Sequence, residues 1–294
     1  KHEIRSSDLE CSHVDRILIV KMSSLGDLFH ALPAVHLIKK HTGAAVDWVV
    51  HDIYRELAGQ FLEVDRIITF PRRTFWRDRQ ALAAELRRER YDLALDMQGL
   101  LKSALVMRSV RAARRIGPSF NREGSRLFYD AVSGPRNKNR HAVEENLDMV
   151  RFLGLPVDEV VFPVGFPAVP LAGPRPRVGL LPCSRRADKN WAPERFAAVG
   201  RGLRDQGGAR LFLLGSPADV PVCAAVARAI GDGVTDLCGQ TSMTELGGVV
   251  RSLDLLVTVD SGPMHMAAVV GTPTVAIFGP TDPVKTGPYG TLHR

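Results

Sequence analysis

Short apolar runs alternate with longer amphipathic stretches along most of the chain. Runs rich in Val, Ile and Leu predict strands at 16–21, 45–50, 66–70 and 92–97. Between them, apolar residues recur with helical spacing and predict helices near 26–40, 54–61, 77–90 and 100–110. Strands that alternate with helices in this way indicate βαβ units and a mostly parallel sheet.

The alternation stops at a proline-rich segment and then begins again. A helical pattern at 141–153 ends at Gly154, and the next stretch contains Pro156, Pro163, Pro167, Pro170, Pro174 and Pro176. This density of prolines is typical of an interdomain linker. Further strands are predicted at 177–182, 210–215, 234–238, 255–260 and 274–279. Helices are predicted between them at 193–206, 219–230, 243–252 and 263–270.

We therefore expect two doubly wound α/β domains, which is also the number that a length of 294 residues favours. The predicted organisation is an extension at 1–15, a Rossmann-like domain at 16–155, a linker at 156–176 and a second Rossmann-like domain at 177–294.

Composition narrows the class of protein. Hydrophobic residues make up 45% of the chain, no apolar run reaches the ~18 residues of a membrane span, and residues 1–15 are too polar for a secretory signal. We expect a soluble protein of the cytoplasm. The four cysteines lack any CxxC spacing, which disfavours a zinc site or a disulfide framework. They are Cys11, Cys183, Cys223 and Cys238.

Positive charge is concentrated in one part of the chain. The net charge is +7, yet residues 72–140 alone hold 17 Lys and Arg against 7 Asp and Glu. Such an excess favours an anionic partner, which is a nucleic acid, membrane phosphate or an acidic small molecule. The run Arg87–Arg90 is an exception, because it follows an ordinary amphipathic helix and reads as a solvated face. Nucleic acid is disfavoured, since few aromatic residues lie among the basic ones.

A polar turn follows the first predicted strand. Lys21-Met-Ser-Ser-Leu-Gly-Asp27 lacks the lysine spacing of a P-loop, and no GxGxxG follows it. Kinase-type and nicotinamide-type functions therefore lose support. Asp27 stands just inside the start of a helix. Its carboxylate either complements the helix dipole or serves as a base that points into a cleft.

Three polar turns follow strands in the second half, at 184–191, 260–263 and 279–283. Because the carboxyl ends of parallel strands share one sheet edge, we expect these turns to lie together. Hydroxyls and cations at Ser184, Arg185 and Lys189 suit a diphosphate, although a surface arginine pair is the plain alternative. No DxD pair occurs, so a carboxylate-held Mg²⁺ has no evident ligands. His265 by itself is typical of a structural histidine.

Six segments together resemble one family. They are Ile-Leu-Ile-Val-Lys-Met-Ser-Ser-Leu-Gly-Asp-Leu-Phe-His-Ala-Leu-Pro-Ala in the first strand and helix, Asp96-Met-Gln-Gly-Leu-Leu-Lys-Ser103, His141-Ala-Val-Glu144, Asp188-Lys-Asn-Trp191, Val259-Asp-Ser-Gly-Pro-Met-His265 and Phe278-Gly-Pro-Thr-Asp-Pro283. In collinear order from about residue 16 to 290, they resemble the ADP-heptose glycosyltransferases of lipopolysaccharide inner-core synthesis. The resemblance is strongest to the members that add the first heptose.

The resemblance implies a GT-B fold, in which two Rossmann-like domains face each other across the active site. It implies inverting transfer of L-glycero-D-manno-heptose from ADP to a Kdo residue of Kdo₂-lipid A, with no metal and no other cofactor. The expected partners are an ADP-sugar donor, an anionic lipid-linked sugar acceptor and the cytoplasmic face of the inner membrane, which the protein contacts peripherally. No nucleic acid is expected.

Matching motifs also imply roles for individual residues. Asp27 corresponds to the general base, and Lys189 to a catalytic cation. Ser184, Arg185 and Lys189 correspond to contacts with the donor phosphates, Asp219 to a ribose contact and Met243 to an adenine contact. Asp260 corresponds to the residue that binds heptose hydroxyls, with Ser261, Gly262 and His265 close by. The acceptor-side positions are Arg72, Arg73, Lys102 and Arg122.

Two departures from the family pattern matter. The chain has Ser184-Arg185 where the family usually has two threonines, so the exact donor stays open. The sequence stops at Arg294, whereas family members continue into further helical sequence, and we expect a truncated chain. The alternative is another GT-B enzyme, such as a nucleotide-sugar 2-epimerase, which would turn over its donor without a lipid acceptor.

Overall fold

The computed structural model describes residues 14–137 and 139–294. Nearly all of the predicted extension, including Cys11, lies outside these residues. The described chain forms two compact units, of which the first ends at Pro163 and the second begins at Val164. No helix in the described ranges is long and apolar enough to cross a membrane.

The first unit contains a six-stranded sheet whose strand pairs are all parallel. Its strands are β1 (Arg16–Val20), β2 (Ala45–His51), β3 (Arg66–Phe70), β4 (Arg90–Asp96), β5 (Arg111–Pro118) and β6 (Ala131–Ser133). Its α-helices are α1 (Leu25–Thr42), α2 (Arg55–Ala58), α3 (Phe75–Leu86), α4 (Leu101–Ser109) and α5 (Ala142–Phe152). The strand order β3-β2-β1-β4-β5-β6 is that of a Rossmann fold, so the order reverses between β1 and β4.

The second unit repeats this plan with five parallel strands. They are β7 (Arg177–Leu181), β8 (Arg210–Leu213), β9 (Val234–Asp236), β10 (Leu255–Val259) and β11 (Thr274–Ile277). The helices are α6 (Pro193–Gly207), α7 (Val220–Ile230), α8 (Met243–Arg251), α9 (Gly262–Val270) and α10 (Pro283–Thr286). The order β11-β10-β7-β8-β9 reverses between β7 and β10.

Burial explains why the central strands are continuous apolar runs. Residues 17–20 of β1 are completely buried, because helices cover both faces of a parallel sheet. On one face of the first unit, Leu18 and Val20 pack with Leu82 of α3 and Met107 of α4. In the second unit, Phe196 of α6 and Val226 of α7 pack against the sheet in the same way. Polar residues therefore collect at the strand ends.

The unit boundary lies inside the predicted linker, 156–176, whose two parts pack on different units. In the first part, Glu159 accepts hydrogen bonds from His36 and Lys40 of α1. In the second part, the Phe166 carbonyl accepts a hydrogen bond from Arg251 at 2.6 Å. The prolines therefore mark the boundary between the two units. The segment before the boundary packs on the first unit, and the segment after it packs on the second.

The sequence pattern missed two strands, β5 and β6. Three arginines interrupt the apolar pattern of β5, and β6 has three residues. The strand forms nonetheless, because β4 supplies a complete parallel ladder and because Arg115 bonds the carbonyls of Met107 and Val110. Part of the basic stretch at 72–140 is thus sheet rather than helix or loop. The predicted helix at 54–61 is also shorter, since α2 ends at Ala58.

Candidate active site

In the first unit, the turn after β1 lies at the point where the strand order reverses. Gln98, in the turn after β4, fixes the position of the turn after β1. Its Oε1 accepts hydrogen bonds from the backbone N–H groups of Met22 and Ser23, each at 3.1 Å. Ligands bind at such switch points because adjacent loops leave the sheet in opposite directions. The turn between Val20 and α1 is therefore fixed against its neighbour.

Buried Asp96 shapes the turn that carries Gln98. Its Oδ1 accepts the N–H groups of Gln98 at 2.7 Å and Gly99 at 3.0 Å, and its Oδ2 accepts the Tyr129 hydroxyl at 2.6 Å. Burial raises the pKa of this carboxyl, although the hydrogen bonds oppose the shift. Asp96 is completely buried, so we assign it a structural role in the motif Asp96–Ser103.

Asp27 is the third residue of α1 and forms a capping box with Ser24. Its Oδ2 accepts the Ser24 N–H at 2.9 Å and the Ser24 hydroxyl at 2.7 Å. Its Oδ1 lies 3.9 Å from His30 Nδ1, beyond hydrogen-bond distance. The side chain is 43% exposed. The structure thus gives Asp27 the capping role, and one carboxylate oxygen lies outside the capping bonds.

The charge environment keeps Asp27 ionised. Partial loss of hydration opposes ionisation of this half-exposed carboxyl, but the charge of Lys21 and the N–H of Ser24 outweigh it, and the pKa of Asp27 lies below its ordinary value. The ammonium group of Lys21 is itself buried, where it donates to the Met97 carbonyl at 2.6 Å. Asp27 is therefore a carboxylate at neutral pH and can accept a proton.

The four predicted acceptor-side residues all follow strands at this same sheet edge. Arg72 and Arg73 follow β3, Lys102 is the second residue of α4 after β4, and Arg122 follows β5. Lys102 Nζ lies 3.5 Å from His51 Nε2 and 4.4 Å from the centre of the Phe70 ring. The Arg122 N–H donates to the Gly99 carbonyl at 2.8 Å, which ties its loop to the turn before α4.

His51, at the end of β2, was not predicted as a site residue. Burial and the charges of Lys102 and Arg72 lower its pKa to about 4. Burial and the charge of Arg72 also lower the pKa of Lys102. The 3.5 Å separation of Lys102 Nζ and His51 Nε2 and these lowered pKa values agree with repulsion among positive charges at this edge. A bound anion would relieve that repulsion.

This geometry predicts how His51 affects stability as pH changes. Between pH 6.5 and about 4 the unfolded chain binds a proton at this position and the folded chain does not. The free energy of unfolding should therefore fall as pH falls through this window. His51→Gln should make the fall less steep, measured by urea unfolding at several pH values.

His36 provides a control with the opposite sign. Burial lowers its pKa, but the carboxylates of Glu63 and Glu159 accept hydrogen bonds from its ring, and the net effect raises the pKa above 6.5. Protonated His36 therefore stabilises the fold below that value, and this stability is lost as pH rises through the raised pKa. His36→Gln should remove the gain of stability that occurs as pH falls from the raised pKa to 6.5, and should leave the slope between pH 6.5 and 4 unchanged. A slope below pH 6.5 that is the same in the His36 and His51 variants would contradict the assignment of His51, and an unchanged slope above pH 6.5 in the His36 variant would contradict that of His36.

In the second unit, the turns after β7, β10 and β11 come together as predicted. Lys189 Nζ donates to Asp260 Oδ2 at 2.6 Å, and the Thr281 hydroxyl donates to the same oxygen at 2.5 Å. The Lys189 and Asp260 side chains are 17% and 5% exposed. A Cβ on Gly279 would lie 3.1 Å from the Asp188 carbonyl oxygen, so a glycine allows the last turn to approach closely.

The turn after β7 is organised by its own side chains. The Ser184 N–H donates to Asn190 Oδ1 at 2.7 Å, and its hydroxyl donates to the Arg186 carbonyl at 2.8 Å. Arg186 forms an ion pair with Asp188. Arg185 is exposed. Ser184 thus helps to shape the turn that precedes Lys189, while Arg185 extends from it.

The remaining predicted donor residues lie after strands of the same sheet or at helix starts. Asp219 follows β8 and accepts the Ser216 N–H at 2.8 Å in a second capping box. Met243 is the first residue of α8. Ser261 is the N-cap of α9 and Gly262 its first residue, while His265 is buried in that helix. Asp260 and the start of α9 therefore adjoin.

Sequence reasoning missed Gln98, His51 and Thr281. Gln98 and His51 are polar residues at the ends of predicted strands, and this position was the available signal. Thr281 lies within a turn that was predicted, but its partner Asp260 is 21 residues away. The described residues contain no group of three or more His, Cys, Asp or Glu side chains that could hold a metal. Cys183, Cys223 and Cys238 are free and buried.

Known proteins share both the sequence and the fold. Residues 79–294 match glycosyltransferase family 9 (heptosyltransferase). Lipopolysaccharide heptosyltransferase 1 of Salmonella typhimurium is 30% identical over 94% of this chain and 92% of its own length. The lipopolysaccharide core heptosyltransferase OpsX of Haemophilus influenzae is 24% identical over 95% of this chain and 83% of its own.

This protein is similar to a solved structure of E. coli heptosyltransferase WaaC with ADP, with a TM-score of 0.81 at 26% identity. The superposition covers 95% of this chain and 92% of the WaaC chain. The two Rossmann-like units are those of the GT-B fold, which this structure shares with the solved E. coli ADP-heptose lps heptosyltransferase II. The family match covers well over half of the chain and agrees with the predicted resemblance. The protein therefore belongs to glycosyltransferase family 9 and is a heptosyltransferase.

Proposed function

We propose that this enzyme transfers heptose from ADP-L-glycero-D-manno-heptose to a Kdo residue of Kdo₂-lipid A in the lipopolysaccharide inner core, with inversion at the anomeric carbon. Relatives named as lipopolysaccharide heptosyltransferases, and a relative solved with ADP, support the substrate classes. One observation carries the proposal. The switch point of each sheet bears polar groups suited to one half of this reaction, with an ionised carboxylate beside cations in one unit and a lysine–aspartate pair in the other.

Asp27 acts on the acceptor in this mechanism. A sugar hydroxyl is a poor nucleophile until its proton is removed during attack. Asp27 Oδ1, which lies outside the capping bonds with Ser24, accepts that proton. The hydroxyl oxygen then forms the new bond to the anomeric carbon while the bond to the ADP oxygen breaks. In a single displacement of this kind, the hydroxyl oxygen attacks from the face opposite the leaving group. The configuration at the anomeric carbon is therefore inverted.

Lys189 and Asp260 act on the donor. An ammonium group has three N–H donors, so Lys189 can bond Asp260 and still donate to a phosphate oxygen. Positive charge there stabilises the negative charge that develops on the leaving diphosphate. The positive end of the α9 helix dipole, next to Asp260, also stabilises this negative charge. Asp260 accepts hydrogen bonds from heptose hydroxyls, and Asp219 and Met243 contact the ribose and adenine.

The basic residues of the first unit bind the acceptor. Carboxylates of Kdo and phosphates of lipid A carry the charge that complements Arg72, Arg73, Lys102 and Arg122. Because the acceptor is lipid-linked, we place the enzyme peripherally on the cytoplasmic face of the inner membrane. The basic excess at 72–140 supports this location.

Removing charge from the acceptor side should separate the two substrates. We expect Arg73→Ala with Arg122→Ala to raise the KM for the acceptor about tenfold or more, because each lost contact with an anion is charge-assisted. The affinity for ADP-heptose should not change, since its proposed contacts lie in the second unit. Calorimetric titration of the donor and steady-state kinetics with the acceptor measure these effects.

Arg88→Ala is the matched control for charge alone. Arg88 is exposed and follows the C-terminal end of α3, whereas Arg73 precedes its N-terminal end. Replacing Arg88 should therefore leave the affinity for both substrates unchanged. Parallel loss of donor and acceptor affinity in the double variant would contradict the assignment of these arginines to the acceptor.

Product analysis tests the proposed reaction directly. The enzyme is incubated with ADP-heptose and Kdo₂-lipid A, and mass spectrometry should show addition of one heptose, with NMR showing the inverted anomeric configuration. ADP-heptose should stabilise the fold and UDP-sugars should not, since a ligand at about 100 times its Kd adds about 2.7 kcal/mol. Retained configuration would exclude the single displacement. Donor turnover that needs no lipid acceptor would favour the 2-epimerase alternative.

A further inference from the structure

The two most exposed large hydrophobic side chains among the described residues both lie in the basic stretch at 72–140. Leu127 is 88% exposed and Trp76 is 77% exposed. Neither belongs to the catalytic or substrate contacts proposed above. Exposed apolar side chains that form a patch are typical of an interaction surface.

Leu127 lies beside an exposed apolar stripe on α4. Leu101 and Leu105 are 40% and 49% exposed, and Arg108 continues the same helix face. The loop before Leu127 is tied to the start of α4, because Glu123 Oε2 accepts the Leu101 N–H at 3.2 Å. The short 3-10 helix Ser125–Phe128, which carries Leu127, packs directly on α4.

Trp76 reaches the same surface through a chain of ring contacts. Its ring meets Phe75 edge-on at 5.4 Å, and Phe75 stacks on Phe70 at 5.3 Å. Lys102 Nζ lies 4.4 Å from the centre of the Phe70 ring, and Lys102 is the neighbour of Leu101. The starts of α3 and α4 therefore lie side by side, with Trp76 on one and Leu101 on the other.

Arginines surround these apolar side chains. The exposed ones are Arg72, Arg73, Arg77, Arg79, Arg108, Arg122 and Arg126. The acidic residues among them are occupied: Asp78 pairs with Arg77, and Glu123 is bonded to the Leu101 N–H. The face has a strong positive charge, and its apolar side chains project from it. We call the four apolar residues and these arginines the Trp76 face.

We infer that the Trp76 face binds the surface of an anionic phospholipid bilayer, with Trp76 and Leu127 inserted at the interface. An indole ring and leucine side chains fit the boundary between headgroups and acyl chains, and arginines fit the phosphates. A site for single-stranded nucleic acid would offer several aromatic side chains for stacking with bases. On the Trp76 face, the apolar residues other than Trp76 are leucines. A protein interface would be expected to carry fewer charges at its centre.

The inference rests on the proposed function in one respect, which is that the acceptor is lipid-linked. Arg72, Arg73 and Arg122 belong to both the acceptor side and the Trp76 face, and Lys102 directly follows Leu101 of that face. A bilayer bound at the Trp76 face would present the phosphates and sugars of the acceptor next to these cations while its acyl chains stay in the membrane. The enzyme would then work without extracting the lipid.

Vesicle binding tests the inference without donor or acceptor, so failure of the proposed reaction would not affect the result. The probes are phosphatidylcholine vesicles with and without about a quarter phosphatidylglycerol. We expect flotation only with the anionic vesicles, and weaker binding at high salt. Trp76→Ser with Leu127→Ser should weaken the partition about tenfold or more. Leu62→Ser is the matched control, because Leu62 is 68% exposed but lies between α2 and β3.

Tryptophan fluorescence reports on insertion. The chain has three tryptophans, of which Trp48 is completely buried and Trp191 is partly buried. The emission should shift to the blue on anionic vesicles and be quenched by brominated acyl chains, and Trp76→Phe should remove both effects. The double serine variant should transfer heptose to a delipidated, soluble acceptor at the parental rate.

Results of several kinds would overturn the inference. The first is an absence of vesicle binding by the parent protein, or an equal loss in the Leu62 variant. The second is equal binding of the parent and double variant to vesicles. The third is loss of activity on the soluble acceptor in the folded double variant, which would place Trp76 and Leu127 in the acceptor site. Competition for the face by RNA at physiological salt, with no fluorescence shift on vesicles, would assign it to nucleic acid instead.

Discussion

Replacing Asp27 with Asn is expected to lower kcat about 10²-fold or more and to leave the affinity for the donor nearly unchanged. The substitution keeps the shape of the side chain and its ability to accept the hydrogen bonds from Ser24. It removes basicity, which the transition state for proton removal requires. The pKa of Asp27 lies below its ordinary value, so the parent enzyme should lose this base only at strongly acidic pH. Steady-state kinetics and donor titration measure both quantities.

Glu245→Gln is the matched control for loss of a capping carboxylate. Glu245 closes the capping box of α8, where its Oε2 accepts the Ser242 N–H at 2.8 Å, and it has no proposed role in the reaction. Both variants should lose about 1 kcal/mol of stability or less. Only the Asp27 variant should lose turnover. A folded Asp27→Asn enzyme that transfers heptose at close to the parental rate would leave Asp27 with its capping role alone.

The second large effect concerns Lys189. Lys189→Met should lower the free energy of unfolding by about 3 kcal/mol, because it leaves the buried carboxylate of Asp260 without its cation. It should also weaken ADP-heptose binding about 10- to 100-fold, since a charge-assisted contact with the diphosphate is lost. Urea unfolding and calorimetric titration measure the two effects separately.

A second substitution separates stability from binding. Adding Asp260→Asn to Lys189→Met removes the unpaired charge and should restore part of the stability, but it should not restore donor binding. Lys285→Met is the surface control, because Lys285 pairs with exposed Asp282 at 3.6 Å and its loss should change little. If the double variant recovered donor affinity together with stability, Lys189 would be a structural partner of Asp260 and would have no role at the phosphates.

Much of the fold follows from local pattern. The segments that form β1, β7 and β10 are apolar because both faces of each strand are covered. A continuous apolar run can be recognised in the sequence without knowing which strands pair with it. Turns such as the one between Val20 and Leu25 were also predictable, since Ser and Asp at a helix start satisfy free backbone N–H groups. Capping chemistry and catalysis use the same residue type, however, so the pattern left the role of Asp27 open.

Strand β5 shows where local pattern fails. Its arginines give no strand signal, and the strand exists because β4 offers a ladder and because Arg115 is bonded to the end of α4 and its following residue. The proline-rich segment shows a further contribution of tertiary structure. Its composition predicted an interdomain linker, and only the fold shows that one part of it contacts α1 and the other contacts α8.

The sequence by itself determined two parallel α/β units, the strand ends at which polar residues collect, and the excess of positive charge in one region, because each depends on neighbours close in the chain. Tertiary structure alone decided which of those residues meet. It joined Lys189 to Asp260 across 71 residues, bonded Gln98 to the turn before Asp27, and linked Trp76 to Lys102 of α4 through Phe75 and Phe70. Such contacts depend on strand order, and strand order depends on pairing between segments whose separation in the chain leaves no periodic signal.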